Sequence, residues 1–111
     1  MDGPNLSALM DMVDKRYPSS ATEYPTLGIL STNERLSFVV NHSLLHMCKV
    51  IGSLSSECEA CGHGQELDTA ILRRAAAKML INSLKLAADL SMTGDALANE
   101  LSEIMGIAVT A

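Results

Sequence analysis

The sequence predicts an all-α protein: a long helical hairpin with a short third helix, self-assembled around an oligomeric four-helix-bundle core. Composition is the first observation behind this. Apolar residues make up 48% of the 111-residue chain but aromatic residues only 3%, with no Trp, so the core must be built from Leu, Ala, Met, Ile and Val. That palette suits packed helices better than sandwiches or barrels. Periodicity is the second, because apolar residues recur at helical spacing through two long stretches. The third is punctuation: cap residues and glycines fall where those stretches begin and end.

Residues 1–30 form an N-terminal arm, comprising a short helix and an irregular connector. Leu6, Leu9, Met10 and Val13 give 5–15 an apolar stripe that needs a surface to lie on. Pro18, Ser19, Ser20, Pro25 and Gly28 stop helices across 17–30. Such a connector is ordered only by docking. Two readings compete: a mobile terminus, or a strap that wraps a neighbouring subunit through Tyr17, Tyr24, Leu27 and Ile29.

Residues 31–111 form the helical domain. Its first long helix starts at a capping-box pattern, Ser31 with Glu34, and is expected to close at Gly62 or Gly64. Val40, Leu44, Met47, Ile51, Leu54, Cys58 and Cys61 fall in one apolar seam, which calls for a partner. A second stripe, turned away from the seam, carries His42, His46, Lys49, Ser53 and Glu57. A third, Leu45, Cys48, Gly52 and Ser55, is small enough to invite a close backbone. The second helix, capped by Asp68 or Thr69, runs to about Leu90 with a broad apolar stripe through Leu72, Met79, Leu86 and Leu90. Arg74, Lys78, Asn82, Lys85 and Asp89 line its other side. Thr93 caps a third helix over 94–105, and the apolar tail 106–111 is expected to tuck against another chain. Faces this wide predict a homo-oligomer, a dimer or tetramer.

Charge narrows the function. A net charge of −5 argues against coating long nucleic acid, which demands many cations. No apolar run is long enough to span a bilayer, so no membrane role is expected. Three cysteines with no signal peptide suggest free thiols in the cytoplasm. Cys58 and Cys61 read as thiols of the apolar seam, with zinc at Cys58, Cys61 and His63 as the alternative. His42 and His46 cannot share that ion, since about twelve residues of helix to Cys58 span roughly 18 Å. No GxSxG, Walker, GxGxxG or HExxH motif occurs, and Glu57 and Glu59 point to different sides of a helix. Four positive charges and no negative one fall between Arg73 and Lys85. If the helices pack with His42, His46 and Lys49 beside Arg74, Lys78, Asn82 and Lys85, the wall they form suits a phosphate-bearing ligand.

KVIGSL at 49–54 and AAAKMLINSLKLAADLSMTGDAL at 75–97 resemble the all-α nucleoside triphosphate pyrophosphohydrolases of MazG type. The resemblance covers roughly 34–105, and its fixed points are Gly52, Leu54 and the helical rhythm. It implies a dimer or tetramer that would hold magnesium on acidic motifs and cleave nucleotides to monophosphate and pyrophosphate. The chain departs from those motifs. Lys49, Val50 and Ser53 stand where the first acidic motif would fall, and Ala75 and Lys78 where ExxD would. Magnesium is a hard cation held by oxygen, so lysines there would repel it. The resemblance therefore implies a degenerate member without cofactor, binding a small nucleotide as a sensor or sequestering protein. Alternatives are a metal-dependent pyrophosphohydrolase with unconventional ligands such as His42 and His46, and a structural helical adaptor.

Overall fold

The computed structural model describes residues 3 and 5–107 of the chain. Four α-helices follow one another: α1 (Leu6–Arg16), α2 (Thr32–Gly62), α3 (Thr69–Asp89) and α4 (Gly94–Met105), with a 3-10 turn at Pro25–Ile29 between the first two. Among the described residues there are no strands, and no helix is long and apolar enough to cross a membrane.

Each helix starts at a side-chain cap. Asn5 accepts from the backbone of Ala8, Thr93 from that of Ala96, and Asp68 from those of Ala70 and Ile71. At α2 the expected capping box is complete: Glu34 N–H donates to Ser31 Oγ at 3.3 Å, and Ser31 N–H donates to Glu34 Oε1 at 3.1 Å. Hydrogen bonding to the Ser31 side chain, and then to the Ser31 N–H, holds the Glu34 carboxyl below its ordinary pKa. Caps of this kind contribute about 1 kcal/mol each. The helices also stop by a shared device. After α2, Gly64 N–H donates to Cys61 O and Gln65 N–H to Ala60 O; after α3, Ser91 N–H donates to Ala88 O and Met92 N–H to Ala87 O. Both are Schellman closures, which put one residue in the left-handed region. That residue is Gly64 (φ 91°) in one and Ser91 (φ 61°) in the other.

The tightest packing lies where α1 crosses α3 and α4. Met10, Val13, Leu84 and Ala87 are buried together, with Leu6, Leu9, Ile81 and Leu97 around them. Backbones touch at Gly94, where a Cβ would fall 2.8 Å from the amide nitrogen of Ser7 and also strike its Oγ. Only glycine allows that approach. Residues 17–30 return along the outside of the bundle, fastened by buried Leu27. This connector docks on its own chain: Tyr24 packs on Phe38 and His42, and Ser19 bonds Asp89. Of the residues expected to form a strap, Tyr24 and Leu27 turn onto their own chain, while Tyr17 and Ile29 stay exposed.

The α2–α3 hairpin departs from expectation in which faces it turns inward. Its buried residues are Ser43 and Val50 on α2 and Ala75 on α3. The seam of α2 stays outside, with Leu44 49% and Ile51 51% exposed, and Cys58 and Cys61 are exposed rather than core thiols. Helix α3 packs instead on the narrower row through Ser43 and Val50, where small side chains on both partners permit a close approach. Along the small stripe of α2, Leu45 and Cys48 are exposed, and among the described residues nothing lies within 4 Å of a Cβ built on Gly52. On α3 the polar row does not face away from the hairpin but looks across at α2. Gly106 ends α4 in the left-handed conformation; of the tail expected to tuck against another chain, 108–111 lie outside the described residues.

Candidate functional site

Between α2 and α3 lies an elongated groove of about 560 Å³, bounded at one end by the connector. Its α2 wall is Phe38, His42, His46, Lys49 and Ser53, and its α3 wall is Arg74, Lys78, Asn82, Lys85 and Asp89. Both sets advance by four, four, three and four residues, the step that keeps side chains on one side of a helix. Ser43, Val50 and Ala75 form the floor. All seven residues singled out from the sequence as ligand contacts, His42, His46, Lys49, Arg74, Lys78, Asn82 and Lys85, line this one groove.

The charge of the groove opposes that of the protein. Four of the eight Lys and Arg residues line it, but among the described residues Asp89 is the only Asp or Glu that does. Four cations less one carboxylate leave +3 in a chain of net −5. The cations are not equivalent. Lys85 Nζ lies 2.9 Å from both Asp89 oxygens, and the two side chains are only 12% and 8% exposed. Lys85 also donates to Ser19 Oγ, which in turn donates to Asp89 Oδ1 at 3.0 Å. Its charge is thereby spent on tying the connector to α3. Lys49, Arg74 and Lys78 have no carboxylate partner among the described residues.

The histidines meet: His46 Nε2 and His42 Nε2 are 3.0 Å apart, so one ring must donate and the other accept. Two imidazolium rings cannot keep that bond. Burial holds His42 below its usual pKa of 6.5, and the nearby charges of His46, Lys49 and Lys85 act in the same direction.

Three ring residues complete the lining. Tyr17, Tyr24 and Phe38 are the only aromatic residues in the chain, and all three line the groove. Tyr24 meets Phe38 edge-on with centroids 5.9 Å apart and His42 at 4.7 Å, while the Phe38 and His42 rings lie within 7° of parallel at 6.2 Å. Sequence reasoning placed Tyr17 and Tyr24 on a strap and passed over Phe38. Scarcity was the available signal: every Tyr and Phe in the chain falls within 17–38.

Cys58, Cys61 and His63 do not assemble. Among the described residues no group of three or more His, Cys, Asp or Glu side chains could hold a metal ion, and His63 lies 3.8 Å from Glu59 on the solvent side. Glu57 serves the loop instead, accepting the Asp68 N–H at 2.7 Å. The groove thus offers cations, amide and imidazole groups and aromatic faces, and its one carboxylate among the described residues is already engaged. Fold and site define an all-α protein with a cationic, aromatic-lined inter-helix groove. Comparison with protein-family models, with characterised proteins and with solved structures finds no match for this chain.

Proposed function

We propose that the chain binds a nucleotide, or a closely related phosphate-bearing ligand, in the α2–α3 groove and leaves it chemically intact. What carries this reading is the concentration of scarce residues: half of the Lys and Arg and every Tyr and Phe of an acidic chain line one concavity. Unpaired Lys and Arg attract and hydrogen-bond phosphate oxygens, and aromatic faces accept a base by stacking. Hydrolysis through magnesium would need oxygen ligands. The one groove carboxylate among the described residues, Asp89, is held by Lys85 and Ser19. Binding without turnover suits a sensor, a carrier or a sequestering protein.

In the same proposal the hairpin is a degenerate MazG-like domain in which Lys49 and Lys78 stand in for metal carboxylates. Two copies close a four-helix core through the seam left open at Leu44 and Ile51 and through half-exposed Leu80. The exposed free thiols Cys48, Cys58 and Cys61 fit work in the reducing cytoplasm. A thermal-shift screen of nucleotides in excess chelator tests the reading. A nucleotide should raise Tm by several degrees, and Lys78→Glu should abolish the rise while moving the ligand-free stability by no more than about 0.5 kcal/mol. If no phosphate compound shifts Tm, the helical-adaptor reading replaces this one. Magnesium-dependent release of pyrophosphate would restore the hydrolase.

A further inference from the structure

The groove is not uniform along its length. At one end sit the rings of Tyr24, Phe38 and His42, packed against one another. The cation at that end, Lys85, is neutralised by Asp89. At the other end Lys49, Arg74 and Lys78 have no carboxylate partner among the described residues. Free positive charge therefore lies toward the end of the groove opposite Tyr24 and Phe38. Phe38 and Lys49 are eleven residues apart on α2, as are Lys85 and Arg74 on α3. Eleven residues of helix span about 16 Å. Between the two ends lie His46 and Asn82, whose ring nitrogen and amide can bond a sugar or the edge of a base.

Building on the nucleotide reading above, we infer that the groove binds its ligand in a single orientation, with a heterocycle against Tyr24 and Phe38 and a chain of two or more phosphates against Lys49, Arg74 and Lys78. The class selected is the nucleoside di- or triphosphate. A lone phosphate on the ribose would stop beside His46 and Asn82, short of the free cations. A nucleoside would leave those cations unpaired, and inorganic triphosphate would leave the rings empty. Each phosphate added beyond the first meets a cation that is unpaired without it, so affinity should climb with phosphate number.

Calorimetric titration of the full chain in excess chelator separates the two ends. The probes are the mono-, di- and triphosphates of each common nucleoside, the nucleosides themselves, and inorganic triphosphate. For the preferred base, the triphosphate should bind at least tenfold more tightly than the monophosphate. Lys49→Gln combined with Lys78→Gln should erase that difference. Phe38→Leu, which keeps an apolar side chain in place, should weaken the nucleoside triphosphate about tenfold, as loss of a stacking partner does. It should leave inorganic triphosphate within about twofold. Equal affinity for mono- and triphosphate, or an equal effect of Phe38→Leu on nucleoside and inorganic triphosphates, overturns the orientation but not the groove. Failure of every phosphate probe to bind overturns both.

Discussion

The two ends of α3 are built for different purposes. Its C-terminal half shares a dry core with α1 and α4, where Leu84 is 2% exposed and backbones meet at Gly94. Its N-terminal half faces α2 across a groove lined by Arg74 and Lys78, and only Ala75 there is fully buried. Packing that fixes the fold is concentrated at one end. Three like charges, Lys49, Arg74 and Lys78, are held on one groove without a carboxylate partner among the described residues. Like charges brought together in this way cost stability, and a bound anion would recover it. One helix thus gives up cohesion along half its length to present charge.

This contrast predicts substitutions that harm one end and spare the other. Leu84→Ala should have the largest effect, about 2–5 kcal/mol of stability lost to a cavity, seen as a fall in the denaturant midpoint. Gly94→Ala comes next, because the added methyl meets the Ser7 backbone. It should cost about 1–3 kcal/mol, and hydrogen exchange should show α1 losing protection before α2. Ser91→Gly acts in the opposite direction: it relieves a left-handed serine (φ 61°) in a closure whose counterpart after α2 uses Gly64. A gain of up to about 1 kcal/mol should appear as a higher Tm.

The smallest effect is the pH response of the groove. His42 is held below 6.5, chiefly by burial, so folding favours its neutral ring. That contribution is complete above pH 6.5 and is lost as pH falls through the lowered value. Ligand-free Tm should therefore decline on acidification from about pH 7.5 to 5.5, and His42→Gln should flatten the decline. Ligand phosphates would favour the protonated ring, so affinity should rise over the same range in which ligand-free stability falls. A calorimetric pH series in wild type and variant reads both.

Much of this arrangement was legible in the sequence, for reasons that differ by feature. Helix ends were readable because capping is local: Ser31 with Glu34, Asp68 and Thr93 act within three residues of themselves. The polar rows of α2 and α3 were readable because helical spacing alone puts His42, His46 and Lys49, or Arg74, Lys78 and Asn82, on one side. Which side packs was not readable. Helix α2 carries two rows able to face a neighbour, and periodicity ranked the seam through Leu44 and Ile51 above the row through Ser43 and Val50 that α3 chose. A buried serine carries no apolar signal. The aromatic end was missed for a related reason, since Tyr24 reaches Phe38 and His42 only after the connector folds back, a non-local event with no period to betray it.

On the proposed reading a phosphate-bearing ligand enters between α2 and α3 and nowhere else. Amide and side-chain chemical shifts recorded while a nucleoside triphosphate is titrated in the presence of chelator test it most directly. Signals of His42, His46, Lys49, Lys78 and Asn82 should move, with those of Met10, Val13 and Leu84 unmoved. Perturbations centred on α1 and α4, or on the exposed face at Leu44 and Ile51, would contradict it.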